Sequence, residues 1–195
     1  MLYRKIRSYI DAHLRSNEDK ILLIEGARQI GKSYIIRDVG TELYDNYVEI
    51  NFVEDDAGDK IFRNVRTTEE FYLNLSMVAG FKLDKYENTL VFIDEIQHYP
   101  QFLTMLKFLR QEHRYRFICS GSLLGIALKK TVSVPVGSII PKKMYQLDFE
   151  EFLIANDFGE DAIVHLRKSF EQKQPLAPEV HDKVLSLFKR YLLVG

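Results

Sequence analysis

The sequence predicts an α/β protein built on a parallel sheet with helices on both faces. Three observations carry this. Strand-like and helix-like segments alternate between Ile21 and about Leu147. The strand candidates Leu22-Leu23-Ile24 and Val91-Phe92-Ile93 are continuous apolar runs, as expected of strands buried on both faces. The first of them also runs straight into a glycine-bearing loop that opens a helix, the strand–loop–helix order of a parallel crossover.

The elements follow in order. Leu2, Ile6, Ile10 and Leu14 recur at helical spacing, which predicts an amphipathic helix to about Asn17. Strands are expected at Ile21–Glu25, Tyr47–Phe52, Leu90–Ile93, Arg116–Cys119 and, on a weaker pattern, Ile139–Leu147. Helices are expected at about Gly31–Val39, Thr67–Val78 and Gln101–His113, the second opened by a capping box of Thr67 and Glu70. After Leu147 the pattern is helical only. Asp148 reads as an N-cap with Glu151 at the third helical position, starting a helix to about Ala155. Further helices fit Glu160–Gln172 and Pro178–Val194, separated by Gln174-Pro175-Leu176-Ala177-Pro178. The expected division is a core over 1–156 and a helical segment over 157–195.

With 195 residues, 46% of them hydrophobic and 28% charged, the composition is that of an ordinary globular chain. A formal net charge of −1 leaves no global basic footprint, which argues against a domain that coats nucleic-acid phosphates. The single cysteine, Cys119, lies in an apolar strand pattern and reads as a packed thiol, consistent with a reducing compartment. No apolar run approaches the length of a membrane span and no signal peptide opens the chain, so the expectation is a cytoplasmic protein with no membrane partner. Tyr191–Gly195 is apolar to the last residue, which reads as the front part of something longer.

Gly26, four residues, then Gly31-Lys32-Ser33 is the spacing of the P-loop. Its glycines let successive N–H groups curl toward phosphate oxygens, and the helix that follows adds its positive end. Lys32 is expected to reach the β- and γ-phosphates and the Ser33 hydroxyl to ligate Mg2+. The nucleotide-binding set is Gly26, Ala27, Arg28, Gln29, Ile30, Gly31, Lys32, Ser33 and Tyr34. Arg28 is given no chemistry of its own. The alternative is a strand-to-helix turn that binds nothing.

Leu90–Ile93 ends in Asp94-Glu95, the acid pair expected to face such a loop. Asp94 suits Mg2+, a hard ion that prefers oxygen ligands, and Glu95 suits the base that activates water. Either acid alone is an ordinary strand end. Arg116–Cys119 continues into Ser120-Gly121-Ser122, where a serine can sense a γ-phosphate. Ser120 and Ser122 are both candidates and Ser122 is preferred, so the catalytic set is Glu95, Lys32 and Ser122. The competing view makes these serines caps of a helix around Leu123–Leu128. Arg110, Arg114, Arg116, Lys129 and Lys130 are candidate cations for the γ-phosphate, with a solvated face as the favoured reading. His98 precedes Pro100 in a turn and reads as structural, and no histidine pattern has zinc-ligand spacing. The chain has no Asn-Lys-x-Asp guanine motif, which favours adenine, and no Leu-Ser-Gly-Gly signature.

Gly26–Ser33, Phe92-Ile93-Asp94-Glu95-Ile96-Gln97, Ser120-Gly121-Ser122 and Tyr145–Leu153 together resemble ATPases of the AAA+ superfamily. The resemblance is to the group with an AAA_14-type N-terminal domain and a DUF4143-type C-terminal region, and it covers nearly the whole chain. It implies a P-loop NTPase fold of the AAA+ type, followed by the start of an all-helical lid near residue 156. ATP and Mg2+ are implied as cofactors, with hydrolysis as the activity. Relatives often carry Gly followed by Lys or Arg before the last strand, where this chain has Gly137-Ser138.

The leading expectation is an ATPase that binds ATP/ADP and passes a conformational change to a protein partner, a further copy in a homo-oligomer, or chain beyond residue 195. A nucleotide-gated interaction module with little turnover is the alternative. A DNA-processing or mobile-element ATPase is the third, resting only on the charges at Arg110–Arg116 and Lys142-Lys143.

Overall fold

The computed structural model describes residues 2–51, 61–80, 83, 85–122 and 137–194. Their contacts define two compact units, Tyr9–Met144 and Met1–Ser8 with Tyr145–Gly195. The second unit thus takes in the chain's first residues and starts before the boundary near 156 read from the sequence. The predicted helix at Leu123–Leu128 and the cations Lys129 and Lys130 lie outside the described residues.

The larger unit holds most of helix α1 (Lys5–Arg15) and then alternates β1 (Ile21–Glu25), α2 (Lys32–Leu43), β2 (Asn46–Asn51), α3 (Thr68–Ala79), β3 (Thr89–Asp94), α4 (Pro100–Glu112), β4 (Arg116–Gly121) and β5 (Ile139–Lys143). The five strands form one sheet in the order β2-β3-β4-β1-β5, and every pairing is parallel. Every residue of β3 and β4 is buried, which explains the continuous apolar runs Leu90–Ile93 and Phe117–Cys119 within them. From β1 the chain crosses to β2 at the far edge, returns through β3 and β4, and passes over β1 to β5. The strand order therefore reverses at β1, and the crevice beyond its C-terminal end is where parallel sheets of this kind collect ligands.

Side chains alternate between faces along each strand. On one face Leu23, Val91, Ile93, Phe117 and Cys119 pack with α3 and α4 through a cluster of rings. Phe71 lies 5.5 Å from Phe62 and 5.7 Å from Phe102, centroid to centroid. Each fully buried ring of this kind stabilises the fold by about 1.5–3 kcal/mol from burial alone. The opposite register, which includes Leu22, Ile24, Leu90, Phe92 and Ile118, is equally buried. Helix α2 reaches that face closely at Gly40, where an added Cβ would stand 2.7 Å from the Tyr47 ring and 3.0 Å from Leu90 Cδ2. Alanine favours a helix interior over glycine by about 1 kcal/mol, whereas overpacking costs about 1–3 kcal/mol. Gly40→Ala should therefore be a net loss of about 1 kcal/mol in urea denaturation, and a stabilised variant would show that α2 can lift away freely.

Strand β5 is shorter than the expected Ile139–Leu147. It pairs with β1 through Glu25↔Lys143, Met144 N donates to Glu25 O at 2.7 Å, and beyond that β1 has left the sheet, so no ladder partner remains. The arginines proposed as cations are engaged at the other end of the sheet. Arg110 pairs with Asp19 at 3.3 Å and donates to Gly137 O at 2.6 Å, and Arg114 lies over the Tyr72 ring at 4.6 Å. Arg116, only 8% exposed at the start of β4, donates to His13 O, Ser16 O and Tyr86 Oη.

The smaller unit contains α5 (Phe149–Ala155), α6 (Glu160–Glu171) and α7 (Pro178–Val194) around Phe152, Leu153, Phe158, Ile163 and Leu187. Asp148 and Glu151 form the expected capping box at the start of α5. Glu151 does more than cap. It accepts from Arg4 Nε at 3.1 Å and from the Lys5 backbone N–H at 2.7 Å, tying the first residues of the chain into this unit.

Candidate functional site

The loop after β1 is shaped by what it cannot hold. Gly26 sits where a Cβ would be 2.4 Å from the Met144 carbonyl oxygen, so a bare backbone is needed there. Gln29 and Gly31 have left-handed backbones, with φ of 62° and 91°, which turn the chain back onto the first turn of α2. That helix start is left open. Gly31 at its N-cap provides no side-chain hydrogen bond, and no acid lies in the first turn. Helices α3 and α5 are treated differently, each closed by a capping box and carrying two acids in its first turn. The uncapped amides of α2 and its positive end thus remain free for an external anion.

Lys32 turns back into the loop. Its Nζ donates to Gly26 O at 3.0 Å and Ala27 O at 2.7 Å, and the residue is only 5% exposed. Burial pushes its ammonium below the ordinary lysine range against the opposing pull of Glu95 and Asp94, while Arg28 adds to the lowering. Ser33, one residue on, donates its hydroxyl to Asp94 Oδ2 at 2.6 Å. Asp94, at the end of β3, is 3% exposed and also accepts from Ser120 Oγ, from the Glu95 N–H at 3.0 Å and from Asn51 Nδ2 at 3.5 Å.

Glu95 follows with a left-handed backbone, φ 50°, which turns its side chain out of the strand's alternation. Its Oε2 accepts from Ser122 Oγ at 2.9 Å and from Gln97 Nε2, and Gln97 Nε2 also donates to Ser122 Oγ at 3.1 Å. Burial by itself would raise this carboxyl. The hydrogen bonds from Gln97 and Ser122, with the charges of Lys32 and Arg28, outweigh it and hold the carboxyl below the usual range.

These groups border an open cleft of about 450 Å³. Of the residues singled out from the sequence, Arg28, Gln29, Gly31, Lys32, Ser33 and Tyr34 line it from the loop, and Asp94 and Glu95 from β3. Gly26 and Ala27 contribute carbonyls to Lys32, and Ile30 packs beside Gly26. Ser122 reaches Glu95, whereas Ser120, the other candidate, reaches Asp94. Three further residues complete the far wall. Asn51 stands beside Asp94 in sheet register, and Arg37 forms a two-point pair with Glu49 at 2.8 and 2.7 Å. Asn51 and Gln97 were not selected by sequence reasoning. Asn51 is recognisable only once β2 is known to pair with β3. Gln97 lies two residues past the acid pair, a spacing that brings side chains together only on the tight turn Ile96–His98.

A family model described as an AAA domain matches residues 18–153. The chain belongs to that family. The match spans the sheet, the open loop, the acid pair and the start of α5. None of the curated proteins matches this AAA-domain chain. Among solved structures, the Caenorhabditis elegans PCH-2 structure is 17% identical, with a TM-score of 0.47 over 77% of this chain and 45% of that one. The Saccharomyces cerevisiae Hsp104–ADP complex is 14% identical, with a TM-score of 0.51 over 78% of this chain and 23% of that one. This chain thus spans less than half the length of either, and at 14% identity the likeness to the Hsp104 complex concerns the fold. Together with the family match, the five-stranded parallel sheet supports a nucleotide-binding, ATPase-like role. Among the described residues no helix is long and apolar enough to cross a membrane.

Proposed function

We propose that this AAA domain binds ATP with Mg2+ on the loop Gly26–Ser33 and hydrolyses the β–γ phosphoanhydride bond. The observation that carries the reading is the open N-terminus of α2 standing over the Ser33–Asp94 pair. Uncapped amides suit the phosphates, and a hydroxyl joined to a carboxylate offers the hard oxygens that Mg2+ prefers. When bound, Mg2+ supplies positive charge to the phosphate oxygens. Ser33 and Asp94 would hold it, and Lys32 would exchange its two loop carbonyls for phosphate oxygens. Glu95 orients a water and takes its proton while the water oxygen bonds to the γ-phosphorus. The bond from that phosphorus to the bridging oxygen breaks, and ADP leaves with the electron pair. Ser122, within reach of Glu95, reports on the γ-phosphate. The reaction drives a conformational change delivered to a protein partner or to another copy of the chain. A reducing, ATP-supplied compartment suits both this chemistry and the buried thiol Cys119.

A second reading has one observation in its favour. The Glu95 carboxylate is already engaged by Ser122 and Gln97, a geometry in which binding occurs and turnover waits for a partner. The test is thermal unfolding with MgATP, ATP plus a chelator, and MgADP, beside a phosphate-release assay. The parent chain should be stabilised by about 2.7 kcal/mol at a nucleotide concentration a hundred times its dissociation constant, and Lys32→Ala should lose that stabilisation. Equal stabilisation of parent and Lys32→Ala by MgATP would reject this loop as the site. Binding without phosphate release would select the gated module.

A further inference from the structure

Two guanidinium groups border the cleft. Arg37 is committed to Glu49 through two short bonds. Arg28 is different. It is the third residue of the phosphate loop, it is exposed, and among the described residues no carboxylate pairs with it. Among the described residues its side chain makes one hydrogen bond, a long contact of 3.5 Å from Nε to Ser122 Oγ, on the same hydroxyl that donates to Glu95 Oε2. The left-handed backbone of Gln29, φ 62°, fixes the loop immediately after it. The loop thus carries a loosely held cation beside the serine and the acid that flank the reaction. The other arginines considered for such a role, Arg110, Arg114 and Arg116, are occupied at the opposite end of the sheet.

We infer that Arg28 is a catalytic residue that supplies, from within the same chain, the positive charge on the γ-phosphoryl group as it transfers. The inference rests on the proposed ATPase reading and adds the residue that answers the charge developing there. The chemistry favours arginine for this post. A guanidinium stays ionised, presents several N–H donors in a plane and bonds two phosphoryl oxygens at once. Its weak tether to Ser122 costs little to release, and Ser122 lies close enough to hand it on. The cation is thus carried by the same loop that would hold the phosphates.

The test compares the parent with Arg28→Ala in three measurements. Turnover of MgATP should fall on the order of a thousand-fold, the scale at which such a cation acts. The affinity for MgADP should change by no more than about threefold, because ADP lacks the group the residue serves. Binding of MgADP with aluminium fluoride, which imitates the transferring phosphoryl, should weaken by about a hundred-fold or more. Turnover per parent chain should also stay constant on dilution. Arg28→Ala turnover within about threefold of the parent, undiminished aluminium fluoride binding, or a rate per chain that falls on dilution would each overturn the inference. The proposed ATPase reading itself fails separately, if the parent does not bind MgATP. The exposure of Arg28 makes a folding defect an unsuitable explanation, and an unchanged unfolding midpoint in the variant checks this.

Discussion

Glu95→Gln should hold MgATP as tightly as the parent while releasing phosphate about a hundred- to ten-thousand-fold more slowly, the usual contribution of a positioned base. The substitution is almost isosteric. Its carbonyl oxygen can still accept from Ser122 and Gln97, the two donors that fix the carboxylate. What it removes is the capacity to take a proton. That capacity is present at neutral pH, because burial, which would raise the carboxyl, is outweighed by the Gln97 and Ser122 hydrogen bonds and the Lys32 and Arg28 charges. The folded protein should therefore keep its unfolding midpoint and its nucleotide-dependent stabilisation. Single-turnover phosphate release and equilibrium binding on the same preparation separate the two effects. Release at the parental rate would place the base elsewhere.

Gly26→Ala should do more harm than any other single methyl group added to the phosphate loop. The new Cβ would meet the Met144 carbonyl oxygen at 2.4 Å and Ile30 Cδ1 at 2.7 Å. A flexible side chain can step aside, but a backbone carbonyl between fixed neighbours cannot. Met144 N is bonded to Glu25 O at 2.7 Å, and Gly26 N to Gly121 O at 3.3 Å. To relieve the clash, β1 and β5 must part at the point where the loop leaves the sheet. Overpacking of this kind costs about 1–3 kcal/mol, before any loss of binding. Gly31 is the instructive contrast. Nothing lies within 4 Å of its missing Cβ, and its requirement is the left-handed φ of 91° alone, a cost of about 1–2 kcal/mol for an ordinary residue. Gly26→Ala should lower the urea midpoint and abolish stabilisation by MgATP together. A variant that unfolds like the parent and still responds to nucleotide would show that the strands can yield.

Much of this was readable beforehand because it is local. Thr67 with Glu70 and Asp148 with Glu151 each lie within one turn, and both capping boxes form where the spacing places them. The loop Gly26–Ser33 and the apolar run into Asp94-Glu95 are equally local, and the structure sets them around one cleft. Other features depend on which distant strands become neighbours. Asn51 approaches Asp94 only because β2 pairs with β3 in the register Asn51↔Asp94. The attachment of Arg4 and Lys5 to Glu151 crosses most of the chain, and no period or motif announces it. Lys32 shows a third kind of limit. Its type and place in the loop are legible, but its return to Gly26 O and Ala27 O is a choice among rotamers that spacing does not encode.

The position of β1 has a consequence for how the molecule comes into being. Its partners are β4 and β5, with Leu22 beside Ile118 and Ile21 beside Ile139, so the first strand made is among the last to find neighbours. During synthesis β2 and β3 can pair while β1 waits for β4, which ends at Gly121, and its other edge stays open until Lys143 has emerged. Pairings between such remote segments slow folding and lengthen the interval in which sticky surface is open to aggregation. The proposed cradle is therefore finished late, and a nascent chain stopped short of β5 would lack the Met144 carbonyl against which Gly26 packs.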